Sequence, residues 1–159
     1  MRETGIPISA IQPASAPLAP PMPVAAVRRI ALLGNPNCGK TALFNLLTGS
    51  RQKVANYPGV TVERKSGVIV TPAGRRVEAL DLPGAYSLNA SASDQALTRD
   101  IITGNGSEPP PELLVCVVDA TRLALNLQLV LQAQRLGVPI VLALNMSDMA
   151  RAQGIIIDT

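Results

Sequence analysis

Gly34-Asn35-Pro36-Asn37-Cys38-Gly39-Lys40-Thr41 directly follows the apolar run Ile30-Ala31-Leu32-Leu33 and directly precedes Ala42-Leu43-Phe44-Asn45-Leu46-Leu47. The first run reads as a buried strand and the second as the opening turns of a helix that ends near Gly49. The octapeptide between them fits G-x-x-x-x-G-K-S/T, a loop whose glycines let successive backbone N–H groups face a polyphosphate. In that arrangement Lys40 sets its ammonium against the β and γ phosphates and Thr41 offers a hydroxyl to Mg²⁺. The helix N-terminus at Ala42 adds favourable positive potential. A chance match in a chain this long is on the order of one in a few hundred at average composition.

The chain has 159 residues, enough for one domain with a real core. Hydrophobic residues make up 47% and the mean hydropathy is +0.26, yet no apolar stretch approaches the ~20 residues needed to cross a bilayer, so a soluble domain is expected. The formal charge of +3 is scattered over short pairs such as Arg28-Arg29 and Arg75-Arg76, a weak signature for nucleic acid. Phe44, Tyr57 and Tyr86 are the only aromatics, which disfavours a base-stacking platform. Cys38 and Cys116 have no metal-like spacing, and a reducing cytosol suits them. With no histidine, triad hydrolases and zinc enzymes are disfavoured. Residues 1–26 hold six prolines, many alanines and two charged residues; a disordered Pro/Ala-rich tail is expected, followed by one domain over 27–159.

Beyond the loop, strand-like and helix-like runs alternate, as in a mainly parallel sheet covered on both faces. Ser66 to Val70 and Arg76 to Leu80 read as a hairpin turned by Thr71-Pro72-Ala73-Gly74, contributing the one antiparallel strand. Leu113 to Val118 and Val138 to Leu144 read as strands buried on both faces, with a helix over Leu123 to Leu136 stopped by Gly137. In such folds ligands collect at the carboxyl ends of the strands. Two further motifs stand there. Asp81-Leu82-Pro83-Gly84 is a D-x-x-G, whose carboxylate can approach Mg²⁺ through a water while the Gly84 N–H faces a γ-phosphate. Asn145-Met146-Ser147-Asp148 is an N-x-x-D, whose Asp148 carboxylate can accept from N1–H and the 2-amino group of guanine. Adenine offers neither donor, so Asp148 discriminates by the cost of an unpaired carboxylate.

The three motifs in this order resemble the translation-factor-like class of P-loop GTPases. The stretches GNPNCGKT, NYPGVTVE, DLPGAYSL and NMSD look more narrowly like the N-terminal G domain of FeoB-type ferrous iron transporters, over roughly residues 28–158. That resemblance implies a nucleotide site of Gly34, Asn35, Pro36, Asn37, Cys38, Gly39, Lys40, Thr41, Ala42, Gly59, Val60, Thr61, Asp81, Leu82, Pro83, Gly84, Asn145, Met146 and Asp148. It implies Mg²⁺ at Thr41, Thr61 and Asp81, with Thr61 engaged only while triphosphate is bound. It implies K⁺ at Asn37, helping hydrolysis because Ala85 stands where many GTPases carry a water-orienting glutamine. Asn37, Lys40, Thr61 and Gly84 would then be catalytic, with residues 50–65 as switch I, short of anchoring apolar groups, and residues 81–93 as switch II.

Met146 stands where most GTPases carry a lysine whose stem covers the base, and it can provide that apolar cover uncharged. The expectation is a GTP/GDP-binding GTPase at the cytoplasmic face of a bacterial inner membrane. Its partner would be a membrane permease portion of the same protein, with oligomers forming through that portion and no nucleic acid bound. The alternatives are a GTPase of ribosome assembly or tRNA modification, and a non-catalytic nucleotide sensor. No S-A-K/R-like guanine loop follows Asp148, so the G domain is expected to be incomplete at its C-terminus, with a sheet edge left unpaired. No ferrous site is visible in the residues; iron enters only through the resemblance.

Overall fold

The computed structural model describes residues 28–49, 52–89 and 93–158. The expected tail over 1–26 lies outside them. Six strands form one sheet in the order β2-β3-β4-β1-β5-β6: β1 Arg29–Gly34, β2 Gln52–Asn56, β3 Glu63–Val70, β4 Arg76–Asp81, β5 Leu113–Asp119 and β6 Ile140–Asn145. β4, β1, β5 and β6 pair in parallel, and β3 alone runs against its neighbours. The strand-loop-helix reading of the opening stretch holds. β1 lies at the centre, with Leu32 beside Asp81 of β4 and Gly34 beside Val117 of β5.

Alternation along β1 divides its side chains between two cores. Ile30 and Leu32 pack with Phe44, Cys38, Val77, Ala79 and Val117 under α1, Lys40–Thr48. Ala31 and Leu33 join Leu80, Leu114 and Cys116 on the opposite face. That face is covered by α2, Ser93–Thr103, through Ile101 and Ile102, and by α3, Leu123–Gln134, through Leu129 and Ala133. Phe44 is wholly buried, which contributes about 2–3 kcal/mol of hydrophobic stabilisation.

The hairpin also holds: the Gly74 N–H donates to the Thr71 carbonyl at 2.8 Å, closing the turn that Pro72 opens. Two expectations need correction. β6 is not buried on both faces: Val141 and Leu142, which point to opposite sides of the strand, are each about half exposed, and among the described residues β6 pairs with β5 alone. Residues 52–65, the described part of the expected switch I, are also better anchored than expected. Gln52–Asn56 forms an antiparallel strand on β3, and Tyr57 is 4% exposed within the core beside Val62. A last helix, α4, Ser147–Ala152, follows β6.

Candidate nucleotide site

The three motifs leave the carboxyl ends of β1, β4 and β6 on one rim of the sheet. The loop after β1 turns sharply because Asn37 and Gly39 both adopt left-handed backbone, at φ 65° and 88°. Gly39 is required for a second reason. A Cβ there would lie 2.0 Å from Asn145 Nδ2, which donates to the Cys38 carbonyl at 2.9 Å. The N-x-x-D motif is thereby fastened to the phosphate loop across 107 residues of sequence. Gly34 is equally crowded, since a Cβ would meet Cys38 Sγ at 2.6 Å and the Val117 carbonyl at 2.8 Å.

Asp81 organises the charged part of the site. One carboxylate oxygen takes a buried ion pair from Lys40 Nζ, and the other accepts from Thr41 Oγ1 at 3.0 Å. A hydroxyl and a carboxylate, both hard oxygen donors, therefore converge beside a cation, which is the donor set that Mg²⁺ selects. Downstream, the Ala85 N–H donates to the Gly34 carbonyl at 3.2 Å, joining the D-x-x-G loop to the phosphate loop. Asn35, Pro36, Asn37, Gly39, Lys40, Thr41, Ala42 and Gly84 together line a cleft of about 430 Å³. Leu82 is buried in the core, and Pro83 lines the space next to Thr41 and Asp81.

Not every expected residue reaches this place. Gly59, Val60 and Thr61 sit in a turn closed on itself, where the Val60 N–H donates to the Tyr57 carbonyl and the Tyr57 N–H to the Val62 carbonyl. They border a separate hollow with Ser93 and Asp94, and Thr61 is exposed there. Val62 and Glu63 do line the space beside Lys40, Thr41 and Asp81. Asp148 is exposed in the first turn of α4, and Met146 holds a left-handed backbone at φ 57° just before that helix. Cys38 is only 1% exposed. Burial raises its thiol pKa, against the lowering effect of the nearby Lys40 backbone N–H and ammonium. Desolvation wins, so the thiol is a packing group. Cys116 is likewise buried and pushed up to about 12.

Sequence reading missed one group of residues. Arg29 and Arg64 each pair with both Glu78 and Glu108, at 2.7 to 3.5 Å, behind the segment that carries Thr61. No local spacing could have revealed this set, because its members come from β1, β3, β4 and the loop before β5.

A central parallel sheet, one reversed strand, and the G-x-x-x-x-G-K-S/T, D-x-x-G and N-x-x-D loops on a single rim define a P-loop GTPase G domain. The family profile described as "Ferrous iron transport protein B" matches residues 28–159, and the chain belongs to that family. The Fe(2+) transporter FeoB of Escherichia coli strain K12 is 50% identical over 129 residues, covering 81% of this chain and 17% of the transporter. The chain thus spans about a sixth of the length of such relatives. Among solved structures, a GDP-bound mutant NFeoB of S. thermophilus superposes with a TM-score of 0.75 at 44% identity, covering 82% of this chain and 49% of that one. The G domain of the T. maritima FeoB iron transporter gives 0.72 at 40% identity, covering 82% and 77%.

Proposed function

We propose that this domain binds guanine nucleotide with Mg²⁺, hydrolyses GTP slowly with K⁺ assistance, and serves as the cytosolic regulatory end of a ferrous iron permease. The observation that carries the reading is the Asp81 carboxylate held between Lys40 and Thr41, with Asn145 tied to the same loop. Lys40 and the loop N–H groups would hold the phosphates, while Thr41 and Asp81 would hold Mg²⁺, which supplies charge neutralisation at the β and γ phosphates. Asn145 keeps the phosphate loop in register with the base loop, and Asp148 selects guanine. Thr61 belongs to the triphosphate state and must leave its present turn to reach the metal. Asn37 provides an amide oxygen for K⁺, in keeping with the missing side-chain function at Ala85. Iron movement would belong to a membrane portion outside this match, a reading supported by FeoB relatives whose length extends far beyond it.

Three measurements test this. Asp148→Asn should weaken GDP binding about tenfold or more, the loss of one charge-assisted pair with the base, and should erase the preference over ADP. Hydrolysis should be faster in KCl than in NaCl, and Asn37→Ala should remove that difference. Thr61→Ala should lower kcat while leaving GDP affinity unchanged. An unaltered GDP-to-ADP preference in Asp148→Asn would overturn the guanine assignment, and equal rates in both salts would overturn the K⁺ role.

A further inference from the structure

The segment that follows the D-x-x-G motif is held at two points. Next to Gly84, the Ala85 N–H reaches the Gly34 carbonyl at 3.2 Å; further on, Leu88 is 1% exposed within the core that α2 and α3 cover. Both backbone groups of Leu88 are taken up by side chains. Its N–H donates to Gln132 Oε1 of α3 at 2.6 Å, and its carbonyl accepts from Arg99 Nη1 of α2 at 3.4 Å. The same Gln132 oxygen accepts from the Ser87 hydroxyl at 3.0 Å, and that hydroxyl accepts in turn from the Asn89 N–H at 3.1 Å. An N–H can only donate, so the Gln132 atom facing Leu88 is the carbonyl oxygen and the amide cannot be turned the other way.

Gln132 stands on a rigid base. Its neighbours along α3, Leu129 and Ala133, are buried in the core, so the side chain leaves a helix that packing fixes. Between the two ties, by contrast, Tyr86 is 58% exposed. For the Gly84 N–H to meet a γ-phosphate this run must stay short and taut, because every residue left free has to be ordered when the phosphate arrives, and that ordering subtracts from affinity. Gln132 itself lines neither the phosphate cleft nor the space beside Thr41 and Asp81. Its influence on the site passes through the chain.

We propose that Gln132 is a positioning residue for the γ-phosphate response: from α3 it pins the far end of switch II at Leu88, so that Gly84 moves against a fixed post. This role rests on the GTPase reading above. It concerns triphosphate recognition and turnover and leaves GDP binding alone, because the Gly84 N–H serves a phosphate that GDP lacks. Only the acceptor oxygen matters, since both bonds to switch II end on it. Glutamate keeps such an oxygen, whereas methionine keeps the length and loses it.

The test compares the whole 159-residue chain with its Gln132→Met and Gln132→Glu variants, each titrated with GDP and with the non-hydrolysable GTP analogue GMPPNP in the presence of Mg²⁺ and K⁺. Gln132→Met should bind GMPPNP about three- to tenfold more weakly, the worth of one such hydrogen bond, and should lower kcat to a similar extent. Its GDP affinity should stay within about twofold of the unaltered chain. Gln132→Glu should restore both GMPPNP affinity and kcat. A purely structural role would weaken both nucleotides alike. A second measurement needs no variant: in the unaltered chain, amide hydrogen exchange should find Leu88 equally protected with GDP and with GMPPNP, while Gly84 gains protection with GMPPNP alone. Equal losses for GDP and GMPPNP, no loss in Gln132→Met, no rescue by glutamate, or a Leu88 amide released by GMPPNP would each overturn the proposal. An unaltered chain that ignored GDP would retire the nucleotide reading, and this role with it.

Discussion

Asp81 carries more of the site than any other single residue. Its carboxylate neutralises a buried ammonium and orders a hydroxyl at once, so neutralising it leaves Lys40 as an unpaired buried charge. Asp81→Asn is expected to cost about 3 kcal/mol in urea unfolding, and Asp81→Asn with Lys40→Met should recover most of that, because an absent pair costs less than half a pair. Both ends of this interaction are readable in the sequence, Lys40 from its loop and Asp81 from D-x-x-G; their contact with each other is not. Cys38 shows the opposite. Its place near a helix N-terminus and a lysine suggests an activated thiol, but nearly complete burial decides the matter. Maleimide should label native Cys38 at pH 7 far more slowly than the unfolded chain, since a raised pKa means less thiolate at any given pH. For Cys116 the sign gives a stability prediction as well. The fold favours its neutral thiol, so that contribution is complete below the unfolded value of 9.0 and is lost as pH rises toward 12. Cys116→Val should flatten the alkaline fall in stability over that window, read from melting temperature against pH.

Elements with a strong apolar signal, β1, β5, α3 and the β3–β4 hairpin, were legible because each buries a face or a core that its own residues announce. β2 was not. Gln52–Asn56 is mostly exposed and gains its extended form from backbone pairing with β3, a partner that no local pattern names. α2 was missed for a related reason: it is polar over most of its surface and buries only Thr98, Ile101 and Ile102. β6 misled in the other direction, since its apolar run reads as buried on both faces while Val141 and Leu142 are about half exposed along the sheet's edge. An apolar edge is a template for pairing with another chain. Val141→Thr with Leu142→Thr should change unfolding free energy by about 0.5 kcal/mol or less, yet reduce concentration-dependent association measured by light scattering.

At the scale of the whole molecule, the Arg29, Arg64, Glu78 and Glu108 set joins the centre of the sheet to its reversed strand and to the loop before β5. Partly screened pairs of this kind contribute modestly. Glu108→Gln is expected to lower stability by about 0.5–1 kcal/mol at low salt, shrinking as salt rises. The three motif loops were legible as a common site because strand ends in such sheets converge, whereas this network and the hold of Gln132 on Leu88 arise only from three-dimensional packing. One consequence concerns the turn at Tyr57 to Val62. Its two backbone hydrogen bonds are internal, it hangs between a paired strand on either side, and the Tyr57 ring is rooted in the core. With Tyr57 and Val62 both held against the core, delivering Thr61 to a bound triphosphate would remodel only the four residues between them, and so would sacrifice little chain entropy and little sheet structure.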